Sequence, residues 1–185
     1  MLSRIFKKRA EPAGNKLARF KKDKRGVTAV EFAILAVPYF MLIFGILETG
    51  LVMLGGQLLD HATAEAARFV RTGQAQGKNK AALTTIICSS SANIFCLKPD
   101  RLSVSVKDFT SFKEVADVPA PKYDPKSGKW DFHEEFKLGS RNSIMLLRVN
   151  YRWPMMTEWM KSAFADNKSG DRVLSSSAVF RNEPF

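Results

Sequence analysis

Arg25-Gly26-Val27-Thr28-Ala29-Val30-Glu31-Phe32-Ala33-Ile34-Leu35 is the stretch on which the fold of this chain turns. A basic leader ends there on a glycine, and a long apolar run begins. Residues 1–26 carry ten Lys and Arg against Glu11 and Asp23. Residues 27–59 carry only two charged side chains, Glu31 and Glu48. A bilayer's hydrocarbon core takes about 20 predominantly apolar residues, and residues 32–47 hold no charge at all. The pattern predicts a membrane span. A secretory signal peptide would have an apolar region of about 7–15 residues before a small-x-small cleavage site. This run is longer, and the nearest such tripeptide, Ala62-Thr63-Ala64, sits inside a charged helical pattern.

The 185 residues have a formal net charge of +11, which at first suggests nucleic acid. Most of that charge is in the leader; the remaining chain holds 19 basic and 16 acidic residues. A face built for phosphate would carry its charge on the folded domain. Lys and Arg beside an apolar segment instead hold the N-terminus on the cytoplasmic side. Nucleic acid is therefore a poor partner, and the chain after the span is expected outside the cytoplasm, in a bacterium the periplasm. Cys88 and Cys96 suit that compartment. Pairing them closes a short loop and contributes up to roughly 2–3 kcal/mol, so a disulfide is favoured over two free thiols. A zinc site would need two further ligands, and His61 and His133 are not at ligand spacing.

The helix is expected to continue beyond the membrane. Ala62, Ala66, Phe69 and Val70 fall on one stripe, with Asp60, Glu65, Arg68 and Arg71 around the rest, until Gly73 ends the pattern. Residues 27–72 would form a rod of roughly 69 Å, over twice the hydrocarbon thickness. Pro38 should kink or locally open it. Gly45, Gly50, Gly55 and Gly56 do not share one face; they read as lowering rigidity, with close packing to neighbours as the second possibility. Glu48 reads as an interfacial acid at the far end of the span, in preference to a buried pairing role.

The stretch quoted above resembles the cleavage region of type IV prepilins, in detail that of the tight-adherence (Flp) branch, where a glycine, four residues and Glu-Tyr open the span. It is similar to the TadE-like pilus assembly proteins, pseudopilins of that system. The ending Arg181-Asn182-Glu183-Pro184-Phe185 also resembles the C-terminus of many of them. Phe32 stands where the family has Tyr, and the chain is far longer than the short major Flp pilin, which points to a minor component. The resemblance implies cleavage by prepilin peptidase between Gly26 and Val27. It also implies an assembly role for Glu31 and Phe32, with the Glu31 carboxylate meeting the N-terminal amine of a neighbouring subunit. The implied partners are the membrane, the peptidase, and pilin and other pseudopilins in a homo- or hetero-oligomer. The implied place is the bacterial inner membrane, single pass, N-terminus cytoplasmic, or the pilus itself. The residues bear on this independently. Glycine lets an extended backbone enter a protease cleft, and an acid at the membrane costs free energy unless paired or snorkelled. The plain alternative places Glu31 idle among headgroups. A second function reading is an uncleaved, membrane-anchored periplasmic scaffold of the pilus or secretion machinery.

Beyond residue 73 the pattern is α+β. A short helix is expected over residues 80–87, and half-buried strands over 101–109, 144–153 and 172–181. A proline-rich loop is expected over 118–128, and a short helix over 155–164 that begins after Pro154. Met155, Met156, Trp159 and Met160 read as core, part of them as a subunit contact. Ser89, Ser90 and Ser91 read as a solvated turn. Three strands in one small unit suggest an antiparallel sheet packed on helices, a pilin-like arrangement. The expected organisation is leader 1–26, helix 27–72 and periplasmic domain 73–185. Gly73 to Lys78 has the wrong spacing for a phosphate loop, and His133-Glu134-Glu135 lacks the second histidine of a zinc protease helix. No catalytic residue, cofactor or metal is expected, and no enzyme.

Overall fold

The computed structural model describes residues 26–184; the expected basic leader before Gly26 lies outside the described residues. Helix α1 (Val27–Arg71) is 45 residues long. It opens with Val30 N–H on the Gly26 carbonyl at 3.1 Å. It closes at Gly73, φ +78°, whose N–H returns to the Val70 carbonyl at 3.0 Å. Glycine takes that left-handed turn without the steric cost of a Cβ. The helix runs unbroken through Pro38. A proline removes one donor from the ladder, and here the flanking bonds carry the helix past it.

The chain divides into two compact units, Met1–Ile43 and Phe44–Phe185. In the first, the described residues are helical from Val27 onward with nearly every side chain exposed. The second holds the remainder of α1 and all that follows: α2 (Lys80–Ser90), β1 (Leu102–Phe109), α3 (Phe112–Ala116), β2 (Lys122–Asp124), β3 (Lys129–Asp131), β4 (Ile144–Pro154), α4 (Glu158–Phe164) and β5 (Asp171–Arg181). β1, β4 and β5 form an antiparallel sheet in that order, with Val104 opposite Val149 and Leu147 opposite Ala178. The architecture is α+β, a long apolar helix followed by a small antiparallel-sheet domain.

Within the second unit, α1 and α2 cover one face of the sheet. The core joins Leu59, Ala62, Ala66 and Val70 of α1 to Leu83 and Ile87 of α2 and to Val104, Val106, Met145, Leu147 and Val149 of the strands. Period 3.6 on the helix and period 2 on the strands bring these side chains to one seam. Phe95 fills the end of it, its ring 4.8 Å from that of Tyr151. The helix runs along β5. Leu174 lies beside Gly55 near one end, and Glu183 N–H bonds the Arg71 carbonyl at 3.0 Å near the other. Asn182, buried, bonds the Ser140 carbonyl through Nδ2 at 3.0 Å. The C-terminal residues thus tie down the end of α1.

Several details differ from the sequence reading. Residues 118–128 are not wholly irregular: β2 and β3 form a small hairpin with Tyr123 opposite Trp130. The Asp124 carboxylate accepts the Ser127 hydroxyl and the Lys126 N–H, and these bonds hold it below the usual carboxylate range. Such a turn tolerates Pro125, which lies outside both strands. The strand expected to be half-buried is covered on both faces over much of its length: Ser103 and Ser105, which alternate with Val104 and Val106, are buried too. The Glu135 carbonyl accepts Val106 N–H at 2.7 Å, so residues 133–137 lie along the outer edge of β1. Pro154 ends β4 instead of opening a helix, and α4 starts only at Glu158. α2 runs to Ser90; Ser91 is buried and its Oγ donates to the Ile87 carbonyl at 2.7 Å. The serines therefore finish a helix and do not form a solvated turn.

The glycines are also resolved by packing. A Cβ at Gly55 would sit 2.8 Å from the Trp153 ring and 3.1 Å from Leu174 Cδ1, and one at Gly45 2.7 Å from Trp159. Close approach, not flexibility, is what these two positions need; Gly50 and Gly56 face open space. Gly55→Ala should cost about 1–3 kcal/mol of unit stability through overpacking. Gly56→Ala should be neutral or slightly stabilising, since alanine favours helix. Parallel denaturant titrations of the two variants check this.

Cys88 and Cys96 are bonded, with their Cα atoms 5.7 Å apart. The bridge ties the end of α2 to the turn that carries Phe95. Replacing both cysteines by serine should lower stability by roughly 2–3 kcal/mol, read as a drop in the denaturant midpoint with the slope little changed.

Candidate functional site

Gly26, Val27, Glu31 and Phe32 lie together at the start of α1. Among the described residues no atom stands within 4 Å of a Cβ built at Gly26, and Val27 and Phe32 are exposed. Val27 and Glu31 are one helical turn apart and share a face. Glu31 is exposed just after the first turn. Among the described residues the Gly26–Val27 bond is thus uncrowded, with an acid four residues past Val27.

From Val30 onward the exposed side chains are almost all apolar: Ile34, Leu35, Val37, Tyr39, Met41 and Leu42 in the first unit, then Ile46, Leu47, Leu51, Met53 and Leu54 in the second. Water would not tolerate so continuous an apolar surface on a monomer. This helix is long and apolar enough to cross a membrane.

Glu48 is where the structure overturns the sequence reading. It is not a solvated interfacial acid: only 4% of it is exposed. Its carboxylate accepts the Met156 N–H, the Thr157 N–H at 3.3 Å and the Thr157 hydroxyl at 2.5 Å. Backbone N–H groups and a hydroxyl donor together solvate a carboxylate well. Glu48 therefore clamps the chain just before α4 onto α1. Gly45, Glu48, Val52, Gly55, Leu59, Ala62, Ala66 and Val70 fall within about 100° of helical arc, a single seam facing the rest of the unit. The glycines leave room for Trp159 and Trp153 on it, and Glu48 supplies its one strong polar contact.

This seam could not be read from the apolar pattern, which is nearly all-round through residues 27–54 and so names no preferred face. One signal was available. Glu48, an acid within the apolar run, shares an arc with Gly45 and Gly55.

No curated protein and no solved structure matches the chain. Residues 26–68 match the family model described as TadE-like protein. That match opens at the exposed glycine, takes in the whole apolar surface with both acids, and closes one turn short of the end of α1. Over Gly26 to Arg68 the chain is thus similar to TadE-like proteins.

Proposed function

We propose that this chain is a minor pseudopilin of a Tad (Flp) pilus, a single-pass membrane protein cut after Gly26 by the system's prepilin peptidase. The observation that carries the reading is the coincidence of three boundaries. The match to TadE-like proteins opens at Gly26, helix α1 opens at Val27, and the sequence passes from basic to apolar at the same point. Removing the basic leader leaves a free amine on Val27, one turn from Glu31. In an assembly, the Glu31 carboxylate of one subunit faces that amine on a neighbour. At low dielectric such a pair sets register more than it adds stability. The sheet domain, on the periplasmic side, supplies contacts that a short pilin lacks. The protein is the peptidase's substrate and carries no catalysis of its own.

The mass of the mature N-terminus tests this. A chain beginning at Val27 supports the pseudopilin; an intact Met1 would make the protein an uncleaved scaffold. Gly26→Leu should block processing by closing the open approach to the scissile bond. Glu31→Ala should insert normally, the span being more apolar, yet fail to co-purify with the pilus. Wild-type incorporation of Glu31→Ala would show the charge to be incidental.

A further inference from the structure

We propose that residues 155–164, the Glu48-clamped segment and helix α4, rest in the bilayer interface at the C-terminal end of the span, giving this chain a second lipid contact that does not cross the membrane. The inference rests on the reading of α1 as a membrane span. Its own evidence lies within the second unit. Trp159 stacks on the Gly45 position and Glu48 holds Met156 and Thr157. These contacts set α4 at the same height along α1 as Ile46 and Leu47, which are exposed and apolar.

The segment also exposes two large apolar side chains, one on either side of the exposed Glu158, Ser162 and Ala163. Met156 is 74% and Phe164 53% exposed, while Met155 and Met160 point inward and are buried. A lone exposed Met or Phe needs no explanation. Here Met156 stands beside Glu48 at the height of the apolar surface that α1 presents, and exposed apolar side chains at that height are what an interfacial segment buries among headgroups and upper acyl chains. Tryptophan beside such a boundary fits the aromatic belt of membrane proteins.

Charge permits the same placement. The charged residues in 154–165 are Glu158 and Lys161, paired with each other at 2.6 Å. The segment carries no net charge to the interface. Glu48, an acid at this depth, is already satisfied by the segment's own donors, so docking the unit against lipid strands no charge. A neutral patch also predicts that contact is driven by burial and not by anionic headgroups.

The full chain reconstituted in phosphatidylcholine vesicles tests this, with a nitrobenzoxadiazole label on Met156→Cys, Phe164→Cys, Ile34→Cys or Phe112→Cys. Each of these side chains is exposed, so none of the variants opens the core. Ile34 reports the span, and Phe112, beyond the far end of β1, reports solvent. Labels at 156 and 164 should be quenched by a doxyl lipid spin-labelled near the headgroup. They should also be shielded from aqueous iodide severalfold relative to 112, and be unchanged when a quarter of the lipid is phosphatidylglycerol. Iodide access at 156 and 164 equal to that at 112, with 34 still lipid-quenched, would overturn the interfacial contact and leave the span standing. Shielding from iodide without lipid quenching would also overturn it, assigning the patch to a neighbouring protein copy. Iodide access at 34 would remove the span, and this inference with it.

Discussion

Glu48→Ala lowers the stability of the second unit by about 3 kcal/mol or more, because it leaves two backbone N–H groups and a hydroxyl without their charged acceptor at a buried site. For a unit whose whole stability is on the order of 5–15 kcal/mol, that is a large fraction. The bonds lost are those of Met156 N, Thr157 N and Thr157 Oγ1. Denaturant unfolding of the full chain in micelles, followed by tryptophan emission, measures the change. Trp159 should report it first, since the clamp sits two residues away. Glu48→Gln keeps one carbonyl acceptor and should recover part of the loss. A change of less than about 0.5 kcal/mol for Glu48→Ala, the range of ordinary surface substitutions, would mean that the clamp does not hold α4.

Phe95→Ala costs about 3–5 kcal/mol, the range for emptying a buried aromatic site. Phe95 is fully buried and its ring meets that of Tyr151. The loop carrying it is closed by the Cys88–Cys96 bridge, which limits how far the backbone can collapse into the cavity. The cost should therefore fall toward the upper part of that range with the bridge intact. It should shrink in the reduced protein, where the loop can relax. Equal losses in both redox states would separate the aromatic contact from the bridge.

These two sites mark how far local reading goes. The alternation in residues 101–109, 144–153 and 172–181 is strong enough to place the three main strands, because each keeps an apolar face toward a helix. The hairpin of Tyr123 and Trp130 was not visible, since three-residue strands hold too little period and the prolines beside them dominate the pattern. Helix α3 was missed although Ser111 and Glu114 have the spacing of a capping box; the Ser111 hydroxyl accepts the Glu114 N–H at 3.3 Å. At five residues it is too short to show a helical face. In the candidate site, the glycine, the acid and the aromatic at the start of α1 are legible because their spacing is the motif itself.

The order of residues determined, without any fold, where the apolar helix begins, that it is long enough to span, and which strands follow. Those are properties of runs and periods, and a run is local. Only the tertiary structure decided that Glu48 is a clamp and that Gly45 and Gly55 are seats for tryptophan rings. Glu48 and Met156 lie 108 positions apart, and no period in either segment encodes the other. An acid in an apolar run is costly until something donates to it, and what donates is known only once the chain has folded back.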